Sequence, residues 1–364
     1  MTRTPEQFVG DAGPNERDRE ILIDVVHAFI ESGEPVSSGS VAASDRHGLC
    51  SATIRSVMAE LEERGYLYQP HVSAGRVPTA AGYHFYIDSL RPGRGVSARD
   101  RLYIKEHLDE GQLRVDDILA IATRLLNHLS NQIGVLLAPS VGETALKALH
   151  FVRLSGNRVL CVLESVGGMV EHREIETHTP MTREELTRIS NFLTDRFSGF
   201  SLREIRDRLL QMMRDDRNAL HELLSSAVTL AQRALVSDEP PHLIVEGTTS
   251  IIGQPELSDI ERVKRLLETF ADKAELVQML NRILESPGPR AIIGEDSDLT
   301  SDLDFSLVAT TYSTGGRCLG TLGIFGPTRM PYHRVVPLVG YLGRTVSEVL
   351  ENENRTGDVD VQTY

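Results

Sequence analysis

The chain lacks any apolar run near the ~18 residues that a membrane-spanning helix needs. Its opening, MTRTPEQFVGDAG, has no apolar core, so a secretory leader is not expected. Cysteine is scarce. Cys50, Cys161 and Cys318 are too few and too far apart for a disulfide framework or a CxxC metal knuckle, and a reducing cytoplasm fits best. Lysine is scarcer still relative to its partner cation, with four lysines against 34 arginines, which genome base composition explains as readily as function. No HExxH, GxSxG, Walker loop or Rossmann fingerprint is present. These absences leave little room for an enzyme, a membrane protein or a secreted scaffold.

What is present is a long, soluble-type chain. Its 364 residues suggest two or three domains, and 40% hydrophobic with 25% charged residues fits packed globular structure. The net charge of −14 argues against indiscriminate nucleic-acid binding. The charge is uneven, however. Residues 1–45 are net −6, residues 46–101 are net +3, and the rest hold −11. One short basic island sits in an acidic protein.

The island lies in a recognisable pattern. Residues 1–14 read as a polar tail. Asn15 can cap a helix whose Ile21, Leu22, Val25, Val26 and Phe29 mark one buried face, and Gly33 and Pro35 end it. A short second helix is predicted from Ser37 to about Arg46. Ser51 then caps a third, SATIRSVMAELEERG, with Ile54, Val57, Met58 and Leu61 inward. The segment YLYQPHVSAGRVPT reads as two brief strands around a loop, and Thr79 caps a closing helix. Three helices, a hairpin and a helix over 15–90 spell a winged helix-turn-helix, followed by a basic linker at 91–100.

In such a unit the third helix meets base edges in the major groove. Ala52, Arg55, Ser56 and Ala59 face outward on it, and Arg55 is early enough for a bidentate contact to guanine. Thr53 and Ser56 can bond phosphate or base. From Arg64 to Thr79 there is no acid, and Arg76 and His71 occupy a loop stiffened by Pro70 and Pro78, where Gly75 permits close backbone approach. The rival readings are an amphipathic helix with a solvent-facing arginine and an ordinary exposed turn.

Beyond residue 100 the pattern is mixed. Helix is predicted over 100–133, with strands at IGVLLAPS and across ALHFVRLSGNRVLCVLES. Residues 181–236 break into about three helices, opened by capping boxes at TREE (182–185) and SLRE (201–204). HLIVEG returns to strand, SDIE (258–261) opens further helices, and AIIGED, DFSLVATTYS and RCLGTLGIFGP are strands before a final helix from Met330. Leu186, Ile189, Leu193, Ile205, Leu209, Met212, Met213, Leu223, Leu224 and Val228 either form an internal core or cover a second copy.

The stretches SATIRSVMAELEERGYLYQPHVSAGRVPTAAGYHFY, GEPVSSGSVA, VEGTTSII and GTLGIFGPTRMPYHRVVPLVGYLGRTVSEVL resemble the heat-inducible transcription repressor family HrcA, in order from about 16 to 351. The resemblance implies an α+β chain: a winged helix-turn-helix at 15–90, a GAF-like domain at 101–180 and 237–351, an inserted helical dimerisation domain at 181–236, and a polar tail at 352–364. It implies a homodimer that represses chaperone genes by binding double-stranded DNA at a CIRCE-type inverted repeat, is supported by a GroEL-type chaperonin, and uses no metal or other cofactor. Carried over, Ala52, Thr53, Arg55 and Ser56 fall on the recognition helix, and His71, Ser73 and Arg76 on the wing. The chain departs from the family pattern at Gly39 (usually Arg), Ser56 (Asn), Val72 (Thr) and Pro331 (Asp).

Two other classes remain. A GAF-like sensory or protein-interaction module with a degenerate winged helix would use a pocket near Gly294, Gly315, Gly316 and Gly320. An enzyme would have to draw on His150, His172, His178, Cys161 or Cys318, none of which stands in a catalytic motif.

Overall fold

The computed structural model describes residues 14–44, 48–90, 95–108, 113–138, 145–165, 170–177, 180–201, 204–205, 208, 230, 242–251, 254, 257, 260–284 and 288–360. The chain is a mixed α+β protein.

Helix α1 (Glu16–Ser32) begins where the Asn15 side chain accepts from the Asp18 N–H, and ends at Gly33 with φ +71°. Helix α2 (Ser38–Ala43) is capped by Ser37. Helix α3 (Ser51–Glu63) starts one residue earlier than its pattern suggested. Cys50 holds the cap position in place of Ser51. Ser51 instead meets the Ser38 hydroxyl at 3.0 Å, tying α3 to α2. Ile54, Val57, Met58 and Leu61 are buried, as their spacing predicts. Strands β1 (Leu67–Tyr68) and β2 (Val77–Pro78) form a minimal antiparallel pair. Helix α4 (Ala80–Ser89) opens at Thr79, whose hydroxyl accepts from the Gly82 N–H.

After α5 (Ala98–Leu108) and α6 (Val115–Ser130) the chain builds a five-stranded sheet. Its strands are β3 (Ile133–Ala138), β7 (His242–Glu246), β8 (Arg290–Ile293), β9 (Phe305–Thr314) and β10 (Arg317–Pro327), in the spatial order β7-β3-β10-β9-β8 with every pair antiparallel. The last helix, α11 (Tyr332–Asp360), packs on one face with α6, and the helices α8 (Ile260–Asp272) and α9 (Ala274–Leu284) cover the other. The short helix α10 (Asp298–Leu303) precedes β9.

Strands β4 (Leu146–Arg153), β5 (Arg158–Ser165) and β6 (Val170–Glu176) stay out of that sheet. The sequence suggested that they continue the flanking domain. Hydrogen bonding instead gives them a sheet of their own, whose inner face shares a core with α7 (Arg183–Phe197). Leu186, Ile189 and Leu193, two readings of which were open, pack inward on Leu149, Cys161 and Leu163, and Ile205 joins that core. Leu209, Met212, Met213, Leu223, Leu224 and Val228 lie outside the described residues. The capping boxes at Thr182–Glu185 and Ser201–Glu204 both form.

The N-terminal helices do not hang free on a linker. The buried residues of α1, α3 and α4 run continuously into those of α5, α6 and α11. The rings of Tyr83 of α4 and Tyr332 of α11 meet in a tilted arrangement with centroids 5.6 Å apart, and the Arg329 guanidinium donates to the Ile30 carbonyl at 3.2 Å. Among the described residues no helix is long and apolar enough to cross a membrane.

Candidate nucleic-acid interface

Four buried apolar residues anchor one face of α3, so the opposite face must point away from the protein. Ala52, Arg55 and Ser56 are exposed there, and Thr53 is half-buried beside them. Thr53 is turned back toward the helix start, where its hydroxyl lies 3.3 Å from the Cys50 thiol. That contact, joined by bonds from the Thr53 and Ala52 backbone, holds the exposed Cys50 thiol below its ordinary pKa. Arg55 has no hydrogen bond or ion pair among the described residues.

The other two arginines of this region are committed. Arg64 meets Glu60 at 2.6 Å, and Arg76 meets Glu62 at 2.8 Å. The Arg76 pairing changes its expected place. Its side chain is only 16% exposed and is turned in toward α3 rather than out from the loop. Its backbone is bound as well, with N–H donating to the Val36 carbonyl and carbonyl accepting from the Val36 N–H. No sequence signal marks that pairing, because Glu62 and Val36 reach Arg76 only through the fold.

The hairpin tip is built by Gln69. Its side-chain amide donates to the carbonyls of Val72 (3.0 Å) and Ala74 (2.8 Å), while the Ala74 N–H donates to the His71 carbonyl. His71 and Ser73 are exposed on this turn. Gly75 has ordinary φ; what requires glycine is space. A Cβ there would lie 2.3 Å from the Val36 carbonyl oxygen. The hairpin root is thus pressed against the segment between α1 and α2. Of the seven residues singled out in the sequence, Ala52, Arg55, Ser56, His71 and Ser73 are exposed on α3 or this tip, Thr53 is half-buried on α3, and Arg76 is turned inward at the hairpin root.

The residues set aside for other chemistry are dispersed. His150 and His172 are exposed on β4 and β6, with Val162 of β5 between them, and His178 lies outside the described residues. Burial pushes the Cys161 thiol up to about 12. Gly315 and Gly316 make the β9–β10 turn with positive φ, and Gly320 sits at a register shift. Among the described residues no group of three His, Cys, Asp or Glu side chains could hold a metal. A cavity of about 420 Å³ does lie between β9 and α11, lined by Thr310, Thr311, Ser313, Arg344 and Ser347, away from the α3 surface.

Residues 116–336 match the family model described as HrcA protein C-terminal domain. A heat-inducible transcription repressor HrcA of Geobacter sulfurreducens is 38% identical over 93% of this chain and 99% of its own length. Its counterpart in Syntrophobacter fumaroxidans is 35% identical over 93% of this chain and 97% of its own. Among solved structures, a crystal structure of a hypothetical protein at 23% identity superposes with a TM-score of 0.60, covering 93% of this chain and 99% of that one.

Proposed function

The chain belongs to the HrcA family of heat-inducible transcription repressors, and from that premise we propose how it holds DNA. It is a heat-shock transcriptional repressor. Residues 15–90 act as a winged helix-turn-helix, with α3 as the recognition helix and the 69–76 hairpin as the wing. Ala52, Thr53, Arg55 and Ser56 meet the major groove, and His71 and Ser73 approach the adjacent backbone or minor groove. Arg76 has a different part, bracing the wing on α3 through Glu62.

One observation carries this reading. Of the three arginines on α3 and the hairpin, the one on the outer face of α3 is left unpaired among the described residues, while Arg64 and Arg76 are neutralised by Glu60 and Glu62. An exposed guanidinium early on an open helix face suits guanine, and such a pair supplies about 1–3 kcal/mol of base discrimination. In an acidic protein, binding then depends on a few well-placed contacts rather than on bulk attraction.

The target is a CIRCE-type inverted repeat in a cytoplasmic genome, read by a homodimer whose two-fold axis matches that of the operator. The β4–β6 sheet with α7 forms the inserted dimerising unit. The five-stranded sheet forms the GAF-like unit that carries the DNA-binding head. Repression is steric, and a GroEL-type chaperonin sustains the active fold, so stress releases the operator.

Fluorescence anisotropy on a labelled CIRCE-type repeat and on a scrambled duplex, with and without chaperonin, tests this. A preference of about 10³ or more for the repeat is expected at physiological salt. Equal weak binding to both duplexes would overturn the reading and favour a sensory module using the β9–α11 cavity.

A further inference from the structure

We propose that Val72 is a specificity-determining DNA contact and that the wing engages the minor groove by shape rather than by charge. The proposal rests on the DNA-binding reading above and deepens it.

Val72 is 99% exposed, far more than any other exposed large hydrophobic residue among those described; the next, Leu102, is 60% exposed. Scattered surface apolar groups are ordinary, but they normally lie partly against the protein. Val72 touches essentially nothing. It also cannot fold back. The Gln69 amide fixes the carbonyls on both sides of Ser73, the Ala74 N–H closes the turn onto His71, and Pro70 limits the approach. A β-branched side chain on such a turn has few rotamers to lose on contact. The fold therefore holds a stiff apolar knob clear of the protein surface.

The charges around it point the same way. From Arg64 to Thr79 the cations are two arginines and His71. Both arginines are ion-paired with α3 acids. The wing thus reaches DNA with both of these guanidinium groups already paired, unlike an arm that grips phosphates with free arginines. What it presents is Val72, with the half-exposed Tyr68 ring behind it on β1. A tip of this kind fits the floor of a minor groove lined by A·T pairs. A G·C pair there raises the guanine amino group, which an apolar tip can neither bond nor displace without cost.

The test uses the full-length protein, a duplex carrying the CIRCE-type repeat, and variants in which each flanking A·T pair is replaced in turn by G·C. Wild-type protein should lose affinity at the position beneath the wing, and Val72→Ala should erase that difference. Val72→Ala should weaken binding to the parent duplex by about tenfold per wing, the loss of roughly two buried carbons at each, with the salt slope unchanged. Val72→Lys should steepen the slope by about 0.9 per wing as a phosphate gains a partner. Val72→Asp should bind far more weakly than Val72→Ala. Because the side chain packs on nothing, thermal melts of all three should match wild type. If Val72→Ala and Val72→Asp bind like wild type while Arg55→Ala loses the repeat, the wing does not touch DNA and the proposal falls alone. If wild type fails to distinguish repeat from scrambled duplex, the DNA-binding reading and the proposal fall together.

Discussion

His84 Nε2 of α4 lies 2.7 Å from Asp296 Oδ2, on the turn between β8 and α10, clasping the N-terminal head to the five-stranded sheet. The bond to Asp296 raises the His84 pKa against the opposing effect of burial. Burial pushes the Asp296 carboxyl up, but bonds from His84 and the Ile293 N–H outweigh it and hold the pKa low. The raised histidine contributes stability fully below about pH 6.5, lost as pH rises through its folded pKa. The depressed aspartate contributes above about pH 4, lost as pH falls through its folded pKa. The clasp is therefore firmest between those limits. Both side chains are over a third exposed, so it is worth less than about 1 kcal/mol. Hydrogen exchange of α4 should quicken in Asp296→Ala at pH 6 and differ less from wild type at pH 9. An equal effect at both values would remove the ionic account.

Arg55 and Arg76 should fail differently. Arg55→Ala should keep its melting temperature and lose about 1–3 kcal/mol of preference for the repeat over scrambled DNA. Arg76→Ala frees Glu62 and loosens the hairpin, so binding should fall on both duplexes. Glu62→Gln should reproduce part of that loss. A double-mutant cycle between Glu62 and Arg76 checks the pairing, and strictly additive losses would contradict it.

Gly75→Ala should be among the more damaging single-methyl changes in the head. The added carbon meets the Val36 carbonyl, and backbone cannot yield as a side-chain tip can. Overpacking of about 1–3 kcal/mol is expected, with a lower melting temperature and weaker DNA binding together.

Gly39→Ala should do the opposite. Gly39 lies inside α2 with ordinary φ, and a Cβ there meets nothing closer than the Ser37 hydroxyl at 3.7 Å. Removing glycine's excess unfolded-state freedom should stabilise by about 0.5–1 kcal/mol, read by denaturant unfolding.

Cys50 should react first with a maleimide at neutral pH. It is exposed at the start of α3 with its pKa lowered by Thr53, whereas burial raises Cys318 and pushes Cys161 up to about 12. Thr53→Val should slow the labelling. Bound operator should protect Cys50 if α3 lies in the groove, and labelling at the same rate with and without DNA would count against that docking.

Local chemistry determined much of this protein in advance. The Asn15, Thr79 and Thr182 caps, the buried stripe of α3, the Gly156 turn and the strands of the main sheet all follow from spacing and side-chain type over a few residues. The outward face of α3 was equally legible, because four inward residues at helical spacing leave the rest no other direction.

What the sequence could not decide were contacts between residues far apart along the chain. Arg76 turns inward because the fold brings Glu62 within 2.8 Å, and Gly75 is required because Val36 packs against it. The strands at 146–176 make a separate sheet because their inner face finds α7. The head docks because Tyr83, His84 and Ile30 meet Tyr332, Asp296 and Arg329. Short-range periodicity selects an element and its buried face. Only the closure of long loops chooses which distant surface covers that face, and so which charges remain free to meet DNA.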